Sequence, residues 1–491
     1  MRRVLSTRRH LRTNPLKQNF IYPEYRKVFI MKATLFLAGM ASTGLAMPAT
    51  EHWGEKELLK VDIPTDTIKM EDLRAAKLKA WEEMRANGEF DDGRYHAQAM
   101  TKCEGGKAGD YACMNMDLMH FLPHADMGSK SKAGNDVWGW TSKDGREFGA
   151  FCQTDGTAFV EVLKDGKMAY LGRLPTQTSN SNWRDAKLIG DHMYIGSEAG
   201  NHGMQIFDMK KLLELKPDKP KVFDIKADIK HFSGFGSSHN IVANPDTHMI
   251  YAVGTARGEK CKGGLWMVDV KDPNSPKDAG CVGEDGYTHD AECVIYKGPH
   301  KEYQGREICF NYNEKKLSIF DVTDRGKPKM LSRIAYEGVA YTHQGWIIDK
   351  EQRFLALDDE QDEMGSKGPA KDQKTVTYIA DVTDLTKPKF TGVYKSPQKA
   401  IDHNLYVIDG IAYEANYGSG LRVVDMNSVT KDSSGGSFKE IAYFDVRPED
   451  DKAGGKASFN GAWSVYPYFK SGHILINSIE RGGFSVKMTT K

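Results

Sequence analysis

The sequence has few cysteines, seven in 491 residues, and none of them forms a C-x-x-C pair. That spacing is what a zinc ribbon or a dithiol redox centre uses, so its absence argues against both. There is no N-x-S/T sequon, and N-glycosylation is not expected. G-x-S-x-G, P-loop, H-E-x-x-H and Rossmann signatures are all missing, which removes the usual sequence grounds for a hydrolase elbow, a nucleotide cradle or a zincin. Beyond residue 46 no apolar run is long enough to span a bilayer. Positive charge is short where nucleic-acid binding would need it. Lys and Arg number 68 against 67 Asp and Glu. Eight of the basic residues lie in 1–30 with a single acid, Glu24, leaving 60 basic against 66 acidic side chains in the rest. No basic patch remains for nucleic acid.

The N-terminus divides in two. At Met31 the chain reads MKATLFLAGMASTGLAMPA: a positive Lys32, a short apolar stretch and a small-x-small Gly44-Leu45-Ala46. This is the pattern of a secretory signal over 31–46. Residues 1–30 are then a basic extension, untranslated or absent from the mature protein. The competing reading takes the Arg-rich 1–30 as a mitochondrial presequence. Export permits disulfides, and the cysteines fall into local pairs: Cys103–Cys113, Cys261–Cys281 and Cys293–Cys309, with Cys152 left over. Residues 47–130 are expected to be helical or irregular. LRAAKLKAWEEMRANG carries Leu73, Leu78, Trp81 and Met84 near one helical face, with Gly88 as a stop.

From about residue 131 to 491 the chain repeats itself. WMVDVKDPNSPK (from Trp266), IFDVTDRGKPK (from Ile319) and IADVTDLTKPK (from Ile379) are each an apolar β-branched run ending in Asp-Val-x-Asp and a proline turn. Two further strand-like runs precede each copy. Units start near 135, 184, 239, 289, 343, 403 and 460, a period of about fifty residues. Short strands in sets at that period predict an all-β, seven-bladed β-propeller with a short, mainly helical N-terminal segment.

The chain resembles the secreted choice-of-anchor B proteins, which are built from LVIVD-type propeller repeats. The residues carrying the likeness are DVWGW (Asp136–Trp140), QTDGTAFVEV (from Gln153), the long GYTHDAECVIYKGPHKEYQGREICFNYNE (Gly286–Glu314), YTHQGW (Tyr341–Trp346), LDDE (Leu357–Glu360), IDHNLYV (Ile401–Val407) and FNGAWSVYPYF (Phe459–Phe469). The resemblance implies a propeller and a secreted protein. It implies no particular activity.

Aligning the unit starts gives two polar columns. One holds Asn135, Arg184, His239, His289, His343, His403 and Asn460; the other holds Asp136, Asp185, Asn240, Asp290, Gln344, Asn404 and Gly461. The first strand of a propeller blade lines the channel, so these residues should gather at one rim. The second strands of the units should bring Glu198, Asp359 and Glu360 to the same rim. Side chains alternate along a strand, so only one column can face the channel squarely.

Two roles are open for the histidines. His239, His289, His343 and His403 could hold a divalent transition metal, which imidazole suits, with the carboxylates orienting them or acting as a base. Alternatively, each histidine satisfies a buried group and links neighbouring blades. The polar rim of Asp136, Arg184, Asp185, Asp290, Glu198, Asp359, Glu360 and Asn404 could also bind a polar ligand. Calcium ranks behind a transition metal, because DVTDRGK and DDEQDE are oxygen-rich but lack EF-hand spacing. The function expected is an extracellular, monomeric binding scaffold for an unknown ligand or protein. The alternative is a metal-dependent hydrolase, lyase or oxidoreductase.

Overall fold

A computed structural model describes residues 63–65 and 68–489; the signal and the basic extension lie outside the described residues. Seven sheets form a seven-bladed β-propeller, antiparallel throughout except where Lys221–Val222 adds in parallel to Met168–Pro175 at the edge of one blade. The innermost strands are Gly134–Thr141, Arg184–Ile189, Asn240–Asn244, Asp290–Ile295, Thr342–Ile347, Leu405–Ile408 and Ala462–Tyr466, which head blades 1 to 7 in chain order. They begin within three residues of the repeat starts read from the sequence. Each lies beside the next, and the seventh lies against the first.

The last blade is completed from the other end of the chain. Met116–Pro123 pairs antiparallel with Gly482–Met488 as the outer strand of blade 7. Tyr111–Met114 adds to the outer edge of blade 6. The segment 47–130, expected to be helical or irregular, therefore contributes strands to two blades. The alternation in MDLMHFLP is what lets it do so: Met116, Leu118 and Phe121 are buried, as a strand covered on one face requires.

Apolar burial follows the architecture. Seven clusters of buried side chains fill the seven interfaces between adjacent blades. An eighth lies at the channel mouth beneath a helix. The repeat aspartates make turns, as their sequence context predicts. Asp269, Asp321 and Asp381 each accept the backbone N–H two residues on, at 2.9, 3.1 and 2.9 Å, the Asx-turn geometry. The three local cysteine pairs form disulfides, and Cys152 is free and buried. Among the described residues no helix is long and apolar enough to cross a membrane.

Phe121 is 1% exposed, with its ring centroid 4.5 Å from that of Phe484. Phe121→Ala is expected to cost about 3–5 kcal/mol in denaturant unfolding, because it opens a cavity at the ring closure. A pH effect should come from Glu292, whose Oε2 on blade 4 accepts the Ile347 N–H of blade 5 at 2.7 Å. Burial pushes its carboxyl up to about 8. The folded chain keeps this proton where an unfolded glutamate, near 4.3, has released it. The resulting stabilisation is full below that lower value and is lost as pH rises through about 8. Glu292→Gln should leave Tm close to wild type at about pH 4 and raise it above wild type at about pH 9, measured by calorimetry.

Candidate functional site at the channel mouth

Helix α1, Met70–Ala86, covers the mouth. Its buried positions are Met70, Leu73, Lys77, Trp81 and Met84, a spacing of three and four residues that keeps them on one face. Leu78, expected on that face, points to solvent at 39% exposure. Five helical positions beyond Leu73 it has rotated away, and Lys77 takes the buried place. Trp81 packs between Trp183 and Trp463, with centroids at 5.6 and 6.0 Å, and its indole N–H donates to the Phe459 carbonyl at 2.9 Å. The Met70 N–H donates to Glu314 at 2.9 Å, which ties the first turn down. Past the C-cap Asn87, Gly88 adopts φ +76°, the left-handed conformation that ends a helix with little strain.

Beneath α1 the four histidines form an arc. Ring centroids are 4.1 Å apart from His239 to His289, 4.2 Å from His289 to His343 and 4.3 Å from His343 to His403. All four are buried. Each Nδ1 faces an oxygen. His239 meets Glu198 at 2.7 Å, His289 the His343 carbonyl at 2.9 Å, His343 meets Asp358 at 2.8 Å, and His403 the Trp463 carbonyl at 2.6 Å. Beside a carbonyl, as in His289 and His403, and beside the Glu198 carboxylate, the proton sits on Nδ1, and in a neutral imidazole Nε2 then carries a lone pair. Burial pushes the Asp358 carboxyl well up, so Asp358 and His343 share a proton between them. Burial, reinforced by neighbouring positive charge including Lys77, pushes His289, His343 and His403 well below the usual histidine range, so the neutral form is the one present. Nε2 of His289 and of His403 is buried without a hydrogen-bond partner.

Glu360 enters this arc from the end of the second strand of blade 5. Its Oε1 takes the Lys77 ammonium and the Tyr417 hydroxyl, and lies 3.4 Å from His403 Nε2. Its Oε2 lies 3.8 Å from His343 Nε2 and accepts no hydrogen bond. One donor atom each from His289, His343 and Glu360 lies within 4.8 Å of the others. Lys77 is wholly buried, stacked 4.8 Å over Trp463, and burial lowers its affinity for a proton while Glu360 acts to raise it.

The other rim residues have different occupations. Asp359 accepts the Ala340 and Tyr341 N–H groups and the Tyr336 hydroxyl at 2.8, 2.7 and 2.8 Å, which shapes the chain entering His343. Glu198 takes both Arg74 and His239; burial would raise its carboxyl, but these bonds offset that and hold it below the usual range. Asp136 and Asp185 accept the Ala186 and Ile241 N–H groups of the following blades at 3.0 and 2.8 Å, with Lys187 between them. Asn404 donates to the Trp463 carbonyl at 3.0 Å, while Asp290 accepts its own neighbour Ala291 N–H at 2.7 Å. Arg184 turns to the Gln153 carbonyl, Thr176 and His202. The second column thus mostly latches blade to blade, and all these rim side chains are largely buried. Sequence reasoning missed Lys77 and Asp358. The first is a lysine at an inward helical position; the second alternates with Glu360 on one strand, so both face the histidines.

No protein-family model matches the chain, and no curated protein matches it. Among solved structures, the WD40 β-propeller domain of Doa1 aligns over 72% of this chain and 92% of that one, at 8% identity and a TM-score of 0.46.

Lys77 and Glu360 form a buried ion pair, so removing one partner strands the other's charge. Lys77→Met is expected to destabilise by about 3–5 kcal/mol. The Lys77→Met, Glu360→Gln double variant should lose much less than the sum of the singles in a double-mutant cycle by urea unfolding. Additive losses would mean that the two charges do not interact.

Proposed function

We propose that this protein is a secreted binding propeller of the choice-of-anchor B type whose capped channel mouth holds one transition-metal ion. The ion sits on His289, His343 and Glu360, with His403 beside them. One observation carries this reading: every Nδ1 of the arc is held by a fixed oxygen, and the Nε2 atoms of His289 and His403 are left buried and unpartnered near a Glu360 carboxylate oxygen that accepts no hydrogen bond. Metal-bound histidines are oriented in that way, by a second group holding the other ring nitrogen. A purely structural link accounts for the Nδ1 bonds but leaves the buried, unpartnered Nε2 of His289 and His403 unexplained. Two imidazoles and a carboxylate suit zinc or iron. Asp358 orients His343, while Lys77 and Tyr417 hold Oε1 of Glu360 so that Oε2 stays free. Three disulfides and a signal-like segment at 31–46 support secretion. Because α1 covers the histidines, the exposed outer faces of the blades are the surfaces offered to an extracellular partner.

A second reading, a metal-dependent hydrolase, lyase or oxidoreductase, draws on the same donor set. Three protein ligands leave coordination positions open for water and substrate, and α1 would then have to lift.

Elemental analysis of protein purified without chelator is expected to find close to one transition-metal ion per chain. His343→Ala should lose it, and Asp358→Asn should weaken it by about 10–100-fold. Fully stable wild-type protein that contains no metal and takes up neither zinc nor ferrous iron would refute the metal site. Turnover that disappears together with the metal in His343→Ala would select the enzyme reading over the scaffold.

A further inference from the structure

A second group of buried ligand-type side chains lies away from the histidine arc. Asp362 and Glu363 sit on the short helix Asp362–Gly365 that follows the second strand of blade 5, and Asp402 immediately precedes the His403 entrance to blade 6. One carboxylate oxygen from each lies within 4.8 Å of the others. Relative exposures are 0%, 0% and 2%. Their hydrogen bonds account for only part of their oxygens. Asp362 Oδ2 accepts the Tyr378 hydroxyl at 2.7 Å, and Glu363 Oε1 accepts the Val376 and Asp402 N–H groups at 3.3 and 3.5 Å. Asp362 Oδ1, Glu363 Oε2 and both oxygens of Asp402 are buried and meet no donor group, and the Asp362 and Glu363 side chains lie within hydrogen-bonding reach of each other. The neighbouring charges that bear most on the trio are further carboxylates, Asp358, Asp359 and Glu414.

Burying one unpaired carboxylate is costly, and burying three together adds mutual repulsion. Elsewhere in this channel the chain supplies its own cation: Lys77 for Glu360, Lys187 for Asp136 and Asp185. Here one carboxylate oxygen of each residue lies within 4.8 Å of the others, and the charges that bear on them are carboxylates. We infer that Asp362, Glu363 and Asp402 form a calcium site that joins blade 5 to blade 6.

The donor chemistry selects the ion. All the candidate ligands are carboxylate oxygens, which suit a hard cation and not the softer metals that take imidazole. Calcium binds oxygen at about 2.3–2.6 Å, so two oxygens on one ion lie up to roughly 4.6–5.2 Å apart. One oxygen from each of the three residues lies within 4.8 Å of the others, which that limit accommodates. Magnesium dehydrates reluctantly and is seldom held in an all-protein cage, so a buried set of three carboxylates favours calcium. The repeat-turn aspartates do not compete as sites, since their oxygens already hold backbone N–H groups. The trio also draws on sequence positions forty apart, so a bound ion would pin the Asp402 strand entrance to the blade 5 turn, next to His403.

Isothermal titration of chelator-treated wild-type protein with CaCl2 tests the assignment. One ion per chain is expected, with Tm raised by roughly 2 °C or more at saturation and restored to the starting value by EGTA. Asp402→Asn should remove both the heat and the Tm shift, and Glu363→Gln should weaken both, while transition-metal content at the histidines stays at the wild-type level. That last readout separates failure of this site from failure of the metal centre. No heat and no Tm shift in wild type at about 10 mM calcium, above the weakest affinities of extracellular modules, would overturn the site. So would a calcium shift of wild-type size in both variants. If Asp402→Asn does not fold, the wild-type titration and Glu363→Gln decide the question.

Discussion

The antiparallel pairing of Met116–Pro123 with Gly482–Met488 closes the ring, and the channel exists only because the ring closes. Each blade covers its neighbour with one face, so an open arc would leave two apolar faces exposed and the innermost strands free to splay. Closure brings seven strand entrances to one mouth at fixed spacing. It also explains why a segment far from the repeats in sequence belongs to the propeller, and why Leu118 and Phe121 are buried in a cluster with Phe484 and Val486.

At that mouth two polar columns divide the work. Asp136, Asp185 and Asn404 place their side chains on backbone groups of the next blade, as does Gln344 through the Leu405 N–H. His289 and His403 do the same through Nδ1, on the His343 and Trp463 carbonyls of the next blade, while His239 and His343 set theirs against Glu198 and Asp358. A single side chain thus serves both the latch and the site. Structural and metal-holding roles, which look like alternatives when each histidine is considered alone, are compatible once the two nitrogens are counted separately.

Much of the buried negative charge at the mouth is balanced locally. A wholly buried carboxylate is expensive unless something positive meets it. Lys77 reaches Glu360 from α1, Lys187 bridges Asp136 and Asp185, and Arg74 holds Glu198. Asp359 is satisfied by two backbone N–H groups and a tyrosine. The trio of Asp362, Glu363 and Asp402 stands apart because four of its oxygens meet no donor and the charges nearest it are other carboxylates, and this contrast is what marks it as a place for an ion.

Blade number, strand entrances, the two polar columns and the cysteine pairs were all readable from a period of about fifty residues and from local spacing. They depend on interactions between residues near in sequence: β-alternation, Asx turns at Asp269, Asp321 and Asp381, and short disulfide loops. What the linear order could not hold was anything set by closure. Lys77 was hidden behind Leu78 because hydrophobicity alone chose the helix face, whereas burial against Glu360 chose the lysine. Asp402 was one aspartate among many until folding brought it to Asp362 and Glu363. The repeat determined that four histidines would share a rim; only the tertiary structure decided which nitrogen each would offer there, because that depends on acceptors from other strands and neighbouring blades.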